Sequence, residues 1–218
     1  TAFCQGIQQR PPVHPNPAFR PDDAARNLAF ARMRGFGVLT VPGPDGPLAA
    51  HVPFVLSDSG RWEAPLVRSN PVLTALPAPA LVVVSGPDGY VSPDWYGVAD
   101  QVPTWNYVAV HLRGQLEALP PEDLPPHAGL LAANFEERLA PKPPWTEAKM
   151  DPEALTRLRR MIVPVAMQVE TVEGTWKLNQ NKPDAARLAA AEAIPGGVGA
   201  ELDALAALMR DPPGSRRT

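Results

Sequence analysis

Proline cuts this chain into short pieces. It occurs 29 times in 218 residues, well above the usual share of about 5%. The prolines gather at residues 11–21, 120–126, 141–144 and 211–214. Proline fixes φ and removes a backbone donor, so it is excluded from helix interiors and central strands. The fold must therefore be built from short elements joined by stiff connections. The prolines act as punctuation, not as a low-complexity tract, and no internal repeat is visible. The length suits one large domain, or one domain with a helical appendage.

Between the proline clusters the pattern is mostly that of strands. Residues 1–20 read as an extended arm. A helix opens at Arg20-Pro21-Asp22-Asp23, with Asp22 as its cap and Ala24, Leu28, Ala29 and Met33 as its apolar stripe, and it ends at Gly35. Strands are expected over residues 36–41, 48–56 and 62–67, joined by the turns Gly43-Pro44-Asp45-Gly46 and Ser57-Asp58-Ser59-Gly60. Asn70-Pro71 starts a short helix to about Leu76. A buried strand over 80–85 turns at Gly86-Pro87-Asp88-Gly89 into 90–92. A long strand over 104–119 has Val108, Val110 and Leu112 alternating with Ala109, His111 and Arg113. Helices are expected at 121–140 and at 151–160, where Asp151 caps and Pro152 follows. A last strand covers 162–172, and two alanine-rich helices lie at 183–194 and 199–210. Six or seven strands with irregularly spaced helices argue for a mainly β, α+β fold: an antiparallel barrel or closed sheet with helical decoration. The expected organisation is an arm at 1–20, a β domain at 21–194 with a helical insertion at about 121–160, and a helical tail at 195–218.

The formal net charge of −3 argues against a dedicated nucleic-acid binder, which carries a basic domain or stripe. The one basic cluster, Arg157, Arg159 and Arg160, falls at a helix C-terminus, where cations complement the helix dipole. Cys4 is the single cysteine, so no intramolecular disulfide forms, which fits a reducing compartment. Residues 1–20 lack the apolar run of a signal peptide, and no apolar run approaches membrane-spanning length. The expectation is a cytoplasmic, soluble protein with no membrane association. The Ser-hydrolase, P-loop, zinc-protease and Cys-x-x-Cys signatures are all missing, and His14, His51, His111 and His127 show no metal-ligand spacing.

Two stretches stand out. Tyr90-Val91-Ser92-Pro93-Asp94-Trp95-Tyr96 and Pro103-Thr104-Trp105-Asn106-Tyr107 hold all three tyrosines and two of the five tryptophans. Aromatics with polar tips suit a flat ligand with hydrogen-bonding edges, an interface, or a barrel end whose polar tips are satisfied internally. The second stretch, Trp176-Lys177-Leu178-Asn179-Gln180-Asn181-Lys182-Pro183, lies between a strand and a helix. Its lysines and amides make either an anion site or a solvated loop capped by Asn181.

These stretches, in order with Ala18-Phe19-Arg20, Gly43-Pro44-Asp45-Gly46, His51-Val52-Pro53-Phe54 and Val67-Arg68-Ser69-Asn70-Pro71, resemble the PaiB-type family of FMN-binding negative transcriptional regulators. The resemblance covers roughly residues 13–194. It implies an antiparallel split β-barrel of the FMN-binding type, related to pyridoxamine-phosphate oxidase and flavin reductases. It also implies a homodimer with the cofactor near the interface. Two departures from the family pattern are visible: a short Gly97-Val98-Ala99-Asp100-Gln101 segment, and Asn179 where serine is usual.

FMN needs cations or backbone donors for its phosphate, flat walls for its ring, and polar groups for its pyrimidine edge. The resemblance assigns Arg68, Ser69 and Asn70 to the phosphate end, with Lys177 as a second cation. Trp95, Tyr96 and Trp105 become walls, and His51, Thr104, Asn106, Gln180 and Asn181 polar contacts. The expected function is a flavin-dependent regulator without a DNA-binding motif. A flavin-dependent oxidoreductase is the alternative. A haem-binding barrel ligated by His51 or His111 is a more distant one.

Overall fold

The computed structural model describes residues 13–21 and 23–213. The short arm before the first helix ends in a 3-10 turn over Pro17–Phe19, capped by Asn16, and Phe19 is buried. Helix α1 spans Ala24–Arg34. Its cap is Asp23, whose Oδ1 accepts from the Arg26 amide at 2.8 Å; Asp22, expected in that role, lies outside the described residues. The buried face of α1 is Asn27, Phe30 and Ala31, while Met33 is 56% exposed. The stripe expected through Ala24, Leu28, Ala29 and Met33 thus sits nearly half a turn away from the face that packs. Gly35, at φ +59°, ends the helix in a left-handed conformation, as expected.

Nine strands follow: β1 (Phe36–Gly43), β2 (Gly46–Pro53), β3 (Val55–Leu56), β4 (Arg61–Val67), β5 (Ala78–Val91), β6 (Thr104–Ala118), β7 (Ile162–Gln168), β8 (Thr171–Lys177) and β9 (Gly199–Ala200). They are ordered β2-β1-β5-β6-β7-β4-β3, with β8 beside β6 and β9 beside β5. The β1–β2 hairpin closes at Gly43–Gly46, where the turn chemistry placed it. Among the described residues there are four more α-helices: α2 (Leu124–Glu136), α3 (Pro152–Arg160), α4 (Asp184–Ala193) and α5 (Leu202–Arg210). Among the described residues, no helix is long and apolar enough to cross a membrane.

Four expected boundaries differ. The strand expected over 48–56 is two strands, β2 and β3, broken at the buried Phe54. The Gly86–Gly89 segment is not a turn, because β5 runs through it without a break. Gly86 and Pro87 are both buried, so the in–out alternation slips there. Asp88 and Gly89 pair with Ala200 and Gly199 of β9, and a Cβ on Gly89 would lie 2.9 Å from Leu202. Glycine is used there for close packing instead of chain reversal. The single strand expected over 162–172 is two strands, β7 and β8, separated at Val169 and Glu170. The helix expected from 199 begins at Leu202, after β9.

The chain divides into two compact units. Unit 1 takes residues up to 27, 85–110 and 173 onward; unit 2 takes 28–84 and 111–172. Unit 2 has a core in which Phe54 and Trp62 are fully buried, with ring centroids 5.6 Å apart. Its β4 and β7 pair along seven residues, Arg61↔Gln168 to Val67↔Ile162. The helical insertion belongs to this unit. Helix α2 packs on β3, β4 and β7, and Arg138 anchors the insertion by donating to the Met33 and Arg32 carbonyls. Helix α3 is capped by Asp151, which accepts from the Ala154 amide at 2.9 Å. In unit 1, Leu178, Ala190, Ile194, Leu205 and Met209 form a dry core. The buried Arg187 donates to the carbonyls of Met209 and Arg210, which neutralises the C-terminus of α5.

Candidate functional site

The polar residues of unit 1 converge around the end of β8. That strand delivers Lys177, and the tight turn after it is held by Gln180, which donates to the Trp176 carbonyl at 2.5 Å and accepts from the Leu178 amide at 2.7 Å. Asn179 sits in this turn at φ +63°, a conformation that asparagine adopts more readily than most residues. The position of Trp176 is set from behind, where its indole donates to Asn27 Oδ1 at 2.8 Å. A Cβ on Gly174 would lie 2.1 Å from that same oxygen, so only glycine lets Asn27 approach.

Lys177 Nζ donates to Thr104 Oγ1 at 2.6 Å and lies 5.9 Å above the Phe19 ring. Lys182 Nζ donates to Gln101 Oε1 and lies 4.7 Å over the Tyr96 ring. The Tyr96 hydroxyl meets Asn179 Oδ1 at 3.4 Å. Burial of Lys177, and then the charge of Lys182 nearby, lower its pKa from the ordinary lysine value. Burial raises that of Tyr96, against a smaller lowering by Asn179. Among the described residues, neither lysine has a carboxylate within ion-pair distance. Three buried polar atoms in the same unit have no hydrogen-bond partner: Asn179 Nδ2, Asn106 Oδ1 and Arg20 Nε. Two lysines with neutral hydrogen-bond partners thus lie in the unit that also holds two unmet donors, Asn179 Nδ2 and Arg20 Nε, and one unmet acceptor, Asn106 Oδ1.

The structure thus brings together Tyr96, Thr104, Lys177 and Gln180 from the expected set. Trp105 points to the other side of β6, is 42% exposed, donates to Asp88 at 3.0 Å and packs edge-on to Tyr90. Asn106 is fully buried, with its amide 3.5 Å from the Met209 sulfur. Trp95 is half-buried and Asn181 exposed. Asn181 does not cap α4, whose N-cap position is Pro183 with no side-chain bond. In unit 2, Arg68 Nε donates to the Arg160 carbonyl at 2.8 Å, and Asn70 caps the short turn Pro71–Ala75 through the Val72 amide. Ser69 is exposed, and His51 is exposed and stacked on Phe36 at 6.4 Å. Among the described residues, no group of three or more His, Cys, Asp or Glu forms a metal cluster.

Sequence reasoning did not name Phe19 and Gln101, which contact Lys177 and Lys182, or Arg20, whose Nε is buried without a partner in the same unit. Phe19 and Arg20 lie in the Ala18-Phe19-Arg20 motif that carries the resemblance, and that was the only signal for them.

The architecture is an antiparallel split barrel, with this lysine cluster in unit 1. The family model described as "Putative FMN-binding domain" matches residues 13–171; the chain belongs to this FMN-binding family. It is 27% identical over 169 residues to protease synthase and sporulation protein PAI 2 of Bacillus subtilis, covering 75% of this chain and 80% of that protein. The fold is similar to that of the FAD and heme binding protein from Mycobacterium smegmatis, with a TM-score of 0.55, 16% identity and coverage of 83% and 82% of the two chains. It is also similar to the flavocytochrome Anf3 from Azotobacter vinelandii, with a TM-score of 0.53, 13% identity and coverage of 72% and 69%.

Proposed function

We propose that this protein is a PaiB-type FMN-binding regulator, with flavin occupancy as its input and no direct DNA contact as its output. The observation that carries the flavin part is the unneutralised Lys177 and Lys182, with the unmet amide of Asn179 joined to Lys182 through Tyr96. These groups suit a phosphate: Lys177 and Lys182 supply charge, while Asn179 and Arg20 supply donors. Tyr96 and Phe19 supply aromatic surface beside them. Arg68, with Ser69 and Asn70, is a further phosphate donor set in unit 2, although its Nε is already engaged. His51, Trp95, Trp105, Thr104, Asn106, Gln180 and Asn181 complete the proposed contact set. FMN, when bound, supplies redox and ring-stacking chemistry; the chain supplies charge, orientation and shielding.

The regulator reading rests on the motif resemblance to the PaiB-type family and the 27% identity to the PAI 2 protein, and the indirect route rests on the acidic charge balance, which disfavours phosphate-backbone binding. A homodimer is part of the proposal. Its support is an exposed apolar set in unit 1, with Val102 72%, Val198 66% and Trp105 42% exposed. The cytoplasm is the proposed location, on the strength of a single cysteine.

A flavin-dependent oxidoreductase is the second reading, favoured by the flavocytochrome likeness in fold. Titration with FMN, followed by addition of NADH or NADPH, separates the two. The regulator reading expects binding without turnover, and steady flavin reduction would overturn it. Lys177→Ala is expected to lose FMN with the fold intact; retained affinity would sink the assignment, and Arg68→Ala tests the other donor set in the same assay. Specific, salt-sensitive gel shifts would contradict the indirect route.

A further inference from the structure

A second recess lies wholly within unit 2, between the helical insertion and strands β4 and β7. Its volume is about 370 Å³. Leu131 and Phe135 of α2, Leu158 of α3, Ala64 of β4 and Pro164 of β7 form its walls. A dry cavity of roughly 150 Å³ lined by such side chains holds one benzene ring, so this volume suits a two-ring system.

The charges around it narrow the ligand further. Glu63, Glu136, Glu147 and Arg159 border the recess. Each glutamate already has a cation: Arg61 on Glu63, Lys142 on Glu136, and Arg159 on Glu147 at 2.5 Å. With Arg61, Lys142 and Arg159 set against the three glutamates, the border of the recess is balanced, and neither a cationic nor an anionic ligand finds an unpaired counter-charge there. The recess therefore differs in its chemistry from the lysine cluster, and the paired border favours a neutral ligand. The Arg159 guanidinium has one unmet need: its Nε is buried and has no acceptor. A neutral carbonyl meets that need without bringing a charge, after a small rotation of the guanidinium.

We propose that this recess binds a neutral two-ring aromatic compound bearing one carbonyl, with the rings against Leu131, Phe135, Leu158 and Pro164 and the carbonyl accepting from Arg159. The inference rests on unit 2 alone and is independent of the flavin reading.

The probe is 6-propionyl-2-(dimethylamino)naphthalene, a neutral naphthyl ketone whose emission shifts to the blue in apolar surroundings, titrated into the full chain. Saturable, blue-shifted binding at one site per chain is expected, with competition by 2-acetylnaphthalene. Ala132→Phe, which fills the recess from α2, is expected to lower affinity at least tenfold. Leu158 is 52% exposed, so Leu158→Trp blocks the rim without disturbing the core and is expected to act in the same direction. Arg159→Lys keeps a cation beside Glu147 but lacks the Nε donor, and a loss of about tenfold is expected, one lost hydrogen bond to a charged donor. Non-saturable binding, or unchanged affinity in a folded Leu158→Trp, would overturn the site. Unchanged affinity in Arg159→Lys, or tighter binding of the anionic 1-anilinonaphthalene-8-sulfonate, would overturn the ligand class.

Discussion

The lysine cluster of unit 1 and the apolar recess of unit 2 are opposite kinds of binding surface. In the cluster, charge is in excess: Lys177 and Lys182 have neutral partners, Thr104 and Gln101. In the recess every bordering carboxylate is paired, and volume is in excess. Both contain buried polar atoms without partners, but these mean different things in the two places. In unit 1 they accompany lysines without a carboxylate partner, which is why the proposed ligand there is an anion. Beside Arg159 the charges are balanced, so the missing group is a neutral acceptor. An unmet donor therefore identifies a ligand only when the surrounding charges are counted with it.

The comparison can be broken by mutation. The largest effect is expected for Trp62→Ala, which empties the core of unit 2. Deleting a fully buried tryptophan costs about 3–5 kcal/mol, read as a shift of the urea midpoint, and the naphthyl ketone site should be lost with it. Next, Lys177→Met removes a charged donor from the cluster. A loss of about 1.5–3 kcal/mol of FMN affinity is expected, roughly tenfold to a hundredfold, by fluorescence quenching. Naphthyl ketone binding should be unaffected, and a parallel loss of both would dissolve the distinction. Gly174→Ala drives a methyl into Asn27 and is expected to cost about 1–3 kcal/mol of stability, measured by thermal unfolding. Asp151→Ala removes the cap of α3, at a cost of about 1 kcal/mol, and should weaken the recess more than the cluster.

The smallest effect is a pH slope. The folded-state pKa of Lys177 is lowered by burial and by Lys182. Between that lowered value and the ordinary value near 10.5, the unfolded chain binds more protons than the folded one. Stability contributed by this group therefore rises with pH across that window. An anion in the cluster favours the charged form, so FMN affinity should fall over the same window as Lys177 loses its proton. Lys177→Met should flatten both slopes, which differential scanning calorimetry and FMN titration at several pH values would show.

Much of this architecture was legible in the sequence. The hairpin at Gly43–Gly46, the alternation of β6 and the Asp151 cap all follow from local chemistry, and local rules read them correctly. The failures occurred where tertiary packing overrides local preference. Gly86-Pro87-Asp88-Gly89 has turn chemistry, but β9 and α5 hold it extended. The α1 stripe was misplaced because a polar residue, Asn27, is buried there to hold Trp176. In the site, Lys177, Thr104, Tyr96 and Gln180 were all named from motif order, yet their contacts join segments about 70–80 residues apart in sequence, a separation that no local pattern records. Gln101 came from the shortened loop, where sequence reasoning saw only a deletion.

The central claim is that Lys177 and Lys182 hold the phosphate of FMN. The most direct measurement compares FMN with riboflavin, which lacks the phosphate, on the native chain and on the Lys177→Met/Lys182→Met double variant. The native chain should bind FMN much more tightly than riboflavin, and the gap should close in the variant while riboflavin affinity changes little. An undiminished preference for FMN in a folded double variant would contradict the account.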